Sequence, residues 1–265
     1  MKNFLPIGIF DSGVGGISVL QQIYQLLPNE NIVYIADSNY APYGGKNFED
    51  IKDRAFKIIN FLIKNHDIKL LIIACNTVTA CCIKEIREKY TIPIIGMEPA
   101  VKPAINASKL KRIGILATKG TLKSTKFAAL LESYDGEAHF YTQPCIGLVE
   151  LIEMGNFESI QIKELVYKNL LPLRRYNVDV IVLGCTHFFY IKDIVNNYFS
   201  ESVIIIDTGK AVAVRTKNIL YQNNLLNTKQ NNSSLIYSNG TSKVQEVIKR
   251  LIPMKNYQLS LCKTF

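Results

Sequence analysis

The chain has no apolar run near the roughly 18 to 20 residues that a membrane span needs. Its opening, MKNFLPIGIFDSG, is too short in apolar length for a signal peptide and runs directly into a strand-like segment. A cytoplasmic location with no membrane partner is the expectation. None of the six cysteines, at 75, 81, 82, 145, 185 and 262, forms a C-x-x-C pair. The three histidines (66, 139 and 187) stand at no metal-ligand spacing from them, so no metal is expected. With no export signal, the thiols are expected to be reduced. The glycine run of DSGVGG lacks both the G-x-G-x-x-G frame and the Lys-Ser/Thr of a P-loop, which argues against nucleotide binding.

A formal charge of +9 raises the question of a polyanionic partner. The lysines, however, are scattered along the polar faces of helix-like segments such as IKDRAFKIINFLIKNH. Only the stretch from Lys102 to Lys126 is noticeably basic, and an apolar strand interrupts it. This reads as a solvated face rather than a nucleic-acid site.

Short apolar runs alternate with amphipathic stretches throughout: IGIF then GISVLQQIYQLLP, NIVYIAD then FEDIKDRAFKIINFLIKN, KLLIIAC then TVTACCIKEIREKY. RIGILA, DVIVLGC and VIIIDTG continue the pattern. Strands apolar on both faces, alternating with helices, predict the α/β class with a mainly parallel sheet covered by helices. The order also repeats. IGIFDSGVGG reaches a cysteine strand 64 residues after Asp11, and IGILATKGT reaches another 67 residues after Thr118. Two similar lobes follow, one from 1–97 plus 208–265 and one from 98–207. Residues 222 to 234 read as an exposed loop, and a final strand and helix complete the first lobe. Ligands of parallel α/β sheets bind beyond the carboxyl ends of the strands. Asp11, Cys75, Thr118 and Cys185 all fall at such ends, so facing lobes would turn both thiols into one cleft.

Two opposed thiols serve as a redox pair, a metal site or two acid/base groups. The long separation and the missing further ligands leave the third as the best fit. One thiolate removes a proton from one face of a carbon while the other thiol protonates the opposite face, and no cofactor is needed. Asn76, Thr77, Thr186 and backbone N–H groups suit a substrate carboxylate. Asp11 and His187 are placed to orient or tune the thiols.

IFDSGVGG, ADSNYAPYG, ACNTVTA, LGCTH, IIDTGKAVA and the closing YSNG, in this order over almost the whole chain, resemble the glutamate racemase family. The resemblance implies two facing lobes enclosing glutamate, cofactor-independent racemisation and a role in peptidoglycan synthesis, with a homodimer possible. It implies that Cys75 deprotonates D-glutamate with help from Asp11, and that Cys185 deprotonates L-glutamate with help from His187. Ser12, Tyr43, Gly44, Asn76, Thr77 and Thr186 would hold the substrate, with Asp37 in a family motif nearby. The family's further carboxylate falls after Cys145, where CIGLVELIE departs from the usual Cys-Pro pattern. Glu153 is the choice and Glu150 the competitor. Aspartate racemisation is the nearest alternative activity, disfavoured by His187 where that related family has a glutamate. A thiol hydrolase built on Cys185 and His187 is another.

Overall fold

The computed structural model describes residues 2–229 and 233–262 of the 265-residue chain. Among the described residues, ten strands form two sheets in which every pairing is parallel. The first sheet contains β1 (Ile7–Asp11), β2 (Ile32–Ala36), β3 (Leu70–Ile73), β4 (Ile94–Gly96), β9 (Ser234–Ser238) and β10 (Tyr257–Leu261). Its order is β10-β9-β2-β1-β3-β4. The second contains β5 (Arg112–Ala117), β6 (His139–Pro144), β7 (Val180–Gly184) and β8 (Ile204–Ile206), in the order β6-β5-β7-β8. Four strands of each sheet therefore share one order: second, first, third, fourth.

That order decides where a ligand can sit. The chain leaves the first strand of each set toward one side and returns for the third on the other. The carboxyl ends of those two adjacent strands are thus left uncovered at a switch point. β1 and β3 make this opening in the first lobe, and β5 and β7 make it in the second. All residues of β1, β2, β3 and β7 are buried, as their unbroken apolar runs demand of a doubly covered sheet.

Three helices matter most for the site. α1 (Ile17–Leu26) follows the glycine turn after β1. α2 (Phe48–His66) buries Ile51, Ala55, Ile58, Ile59 and Leu62, one face at helical spacing. Asn47 caps its N-terminus through the Glu49 N–H, with Glu49 and Asp50 in the first turn and Lys64 and His66 in the last. α3 (Asn76–Lys89) starts directly after Cys75 and leaves helical geometry at Cys82.

Two local expectations need correction. β10 forms a strand that the apolar pattern did not show, because it is an edge strand with half-exposed, partly polar residues. The expected exposed loop over 222–234 is shorter at its far end, where Ser234 already pairs in β9, and residues 230–232 of it lie outside the described residues. Within it Asn227 is buried, donating its backbone N–H to Glu30 Oε1 at 2.9 Å.

Glu30 also takes the ammonium of Lys69, and both side chains are 1% exposed. Lys69 Nζ further donates to the carbonyls of Asn3 (2.6 Å) and Leu225 (2.8 Å). This buried pair ties the segments around Asn3 and Leu225–Asn227 to the end of the first sheet away from Asp11. Removing one partner strands a buried charge, so Glu30→Ala is expected to cost about 3 to 5 kcal/mol in urea unfolding. The turnover of the protein that remains folded should be unchanged; a lost activity at full folding would contradict a purely structural role.

Candidate active site

Asp11 closes β1 and turns its carboxylate back over the glycine loop. Its Oδ2 accepts from Gly13 N (3.2 Å) and Gly16 N (2.9 Å), and its Oδ1 accepts from the Thr186 hydroxyl of the other lobe (3.3 Å). Cys75 follows β3 and occupies the N-cap of α3, its Sγ 3.6 Å from Ser12 Oγ. Cys185 follows β7 in the equivalent place, ahead of the 3₁₀ turn Thr186–Ile191. Its Sγ lies 3.7 Å from His187 Nδ1, and His187 Nε2 meets Glu153 Oε1 at 2.6 Å. That same oxygen accepts the Val14 N–H of the first lobe at 2.7 Å.

Both thiols open onto one cavity, lined also by Ser12, Tyr43, Gly44, Asn76, Thr77, Thr186 and His187. The cavity has a volume of about 250 Å³ and lies between the two lobes. Asn76 Oδ1 is buried with no protein partner, an acceptor available to an ammonium group, while its Nδ2 reaches Met97 O at 3.4 Å. Tyr43 contributes its ring and backbone, since its hydroxyl is committed to buried Asp37. Asp37 itself stays behind this wall. Glu150 is exposed and lines outer grooves, away from His187.

The Asp/Glu/Hydantoin racemase family matches residues 7–216. The glutamate racemase of Ectopseudomonas mendocina is 45% identical over 93% of this chain and 94% of its own. The chain belongs to the Asp/Glu/Hydantoin racemase family. Two solved structures are similar in fold. The Francisella tularensis glutamate racemase in complex with D-glutamate has a TM-score of 0.86 and 28% identity, covering 98% of each chain. The Escherichia coli glutamate racemase in complex with L-glutamate and the activator UDP-MurNAc-Ala has a TM-score of 0.87 and 27% identity, covering 98% of this chain and 99% of its own.

The electrostatics of this racemase-family site are those of charges taken out of water. Burial, then the neighbouring Asp11 carboxylate, push the Cys75 thiol up to about 12, against hydrogen bonds from Val78 N–H and Ser12. Burial also raises Asp11, opposed by His187 and the Gly16 and Gly13 amides. Burial pulls His187 down, yet its hydrogen bonds to Cys185 and Glu153 outweigh this and hold it well above the ordinary histidine value. The protonated ring is thus the favoured form beside the second thiol.

Pro42, Thr118 and Val149 also line the cavity; Thr118 was expected at a ligand-facing strand end without a role, and Pro42 and Val149 were not expected. Thr118 had a signal: it occupies the place after β5 that Asp11 occupies at the end of β1. Its hydroxyl meets that of Thr77 across the cleft at 3.0 Å. Val149 had none, being one apolar residue in a short helix, Leu148–Glu153.

Two glycines fit here because no side chain can. A Cβ on Gly13 would lie 1.9 Å from Glu153 Oε1, and one on Gly15 would lie 2.3 Å from His187 Nδ1. Gly13→Ala should therefore expel the Glu153 carboxylate and reduce activity about 100-fold or more, with a smaller change in thermal stability. Glu153→Gln should lower the pKa of His187, measured by NMR titration of its imidazole. The wild-type ring stays protonated above pH ~6.5, and the variant's loses its proton at lower pH. An unmoved titration would show that Glu153 does not hold the imidazolium.

Proposed function

We propose that the chain interconverts L- and D-glutamate by two-base proton transfer at Cα, with Cys75 and Cys185 as the two bases, and so supplies D-glutamate for peptidoglycan. The single observation carrying this reading is the placement of two thiols, from equivalent switch points of two similar lobes, on one cavity. Relatives named glutamate racemase support glutamate as the substrate. A cytoplasmic homodimer belongs to the same reading. No described helix is long and apolar enough to cross a membrane. A thiol hydrolase built on Cys185 and His187 would leave Cys75 idle.

The chemistry follows from which proton each group can hold. With D-glutamate bound, the Cys75 thiolate takes the Cα proton and the electron pair spreads into the adjacent carboxylate. The Cys185 thiol then delivers its proton to the opposite face, giving L-glutamate and leaving a Cys185 thiolate beside the His187 imidazolium. The reverse direction begins from that thiolate. Asp11, Ser12 and the Val78 N–H position Cys75; Glu153 positions His187. Asn76 Oδ1 and the hydroxyls of Thr77, Thr118 and Thr186 present polar atoms toward the ammonium and carboxylates. Burial of these groups strengthens their contacts and keeps solvent from quenching the carbanion.

Circular dichroism of purified protein with L-glutamate, and separately with L-aspartate, tests the substrate. Decay of the glutamate signal alone is expected; silence with both would overturn the reading. Cys75→Ser and Cys185→Ser should each lower racemisation by about 10²- to 10⁴-fold. Equal retention of activity in both variants contradicts the two bases. In the direction from D-glutamate, kcat/KM should rise with pH through the neutral and alkaline range, about tenfold per unit below the Cys75 pKa. The raised thiol must lose its proton before it can act. A fall over that range would assign the base elsewhere.

A further inference from the structure

Asp37 is 0% exposed, yet its carboxylate lies on no cavity wall and faces no reacting atom. It collects four donors instead. Arg54, on α2, grips it with two prongs, Nε to Oδ2 at 2.8 Å and Nη2 to Oδ1 at 2.6 Å. The Tyr43 hydroxyl bonds Oδ2, and Asn239 Nδ2, from the turn after β9, bonds Oδ1. Asn239 Oδ1 in turn accepts Asn39 N–H at 2.9 Å. The Arg54 guanidinium also lies 4.9 Å from the Tyr40 ring centroid, so one side chain touches the segment 37–46 at both Asp37 and Tyr40.

That segment carries the wall of the site. Pro42, Tyr43 and Gly44 line the cavity, and Gly44 sits so close to Thr118 of the opposing lobe that a Cβ there would lie 2.5 Å from Thr118 Cβ. Where this turn stops therefore decides where the closed cleft ends. A planar fork with two hydrogen bonds fixes a carboxylate in direction as well as distance, which a single ammonium cannot do.

We propose that Arg54 is a positioning residue for the substrate wall. Through Asp37 it locks Tyr43 and Gly44 at the place where they meet Thr118, and so sets the fit of the closed cleft to its substrate. This rests on the glutamate reading above. Arg54 never touches substrate, so its loss should weaken binding in ground state and transition state alike, which appears in KM rather than kcat.

The test is steady-state racemisation by Arg54→Gln, Arg54→Lys and the double variant Asp37→Asn/Arg54→Gln, beside wild type. Arg54→Gln should raise KM for glutamate about tenfold or more with kcat changed much less. Arg54→Lys should restore part of that loss. The double variant removes the stranded buried charge and should recover thermal stability, while its KM stays high because the fork is still missing. It also keeps the test open if Arg54→Gln alone fails to fold. A KM that returns to the wild-type value with stability would make Arg54 merely structural and overturn the inference. So would an unchanged KM in folded Arg54→Gln. Wild-type protein inactive on glutamate would instead sink the substrate reading, which separates the two failures.

Discussion

The site depends on one carboxylate oxygen. Glu153 Oε1, from the second lobe, accepts the Val14 N–H of the first and the His187 Nε2–H of its own. A charge so deeply buried is tolerable only while paired and hydrogen-bonded. The Val14 partner comes from the first lobe and the His187 partner from the second. Glu153 therefore links the seam between the lobes to the hydrogen bonding of His187 and, through it, to Cys185. Other bonds also join the lobes, among them Thr186 to Asp11, Thr77 to Thr118, Tyr190 to Val14 O (3.4 Å) and the Arg250 guanidinium to Gly155 O.

The two thiols sit in different surroundings. Burial and the Asp11 carboxylate push Cys75 up. Cys185 instead has His187 as its neighbour, whose hydrogen bonds to Cys185 and Glu153 hold it above the ordinary histidine value. A reaction that ends each half-cycle with the proton on the opposite sulfur uses both surroundings in turn.

Much of this was legible in the chain because the fold repeats. Doubly buried parallel strands announce themselves as unbroken apolar runs, and the residue after each run is where the chain can place chemistry. Asp11, Cys75, Thr118 and Cys185 were readable on that ground alone. Contacts between lobes were not readable. Nothing in the spacing places Glu153 rather than Glu150 against His187, since both lie in one helix and the choice depends on which face meets the cleft. Nor does local sequence show that Asp37 belongs behind the wall, with Arg54 from α2 and Asn239 from the turn after β9. β10 escaped notice for a simpler reason: an edge strand needs only one buried face, and its pattern is too faint to stand out.

The central claim is that each face of Cα has its own base. Its most direct measurement starts from one enantiomer in D₂O and follows deuterium at Cα by mass spectrometry in both substrate and product at low conversion. Two bases predict product labelled from its first appearance and recovered substrate essentially unlabelled, in both directions. Product that retains the original hydrogen, carried across by a single base, would contradict the account.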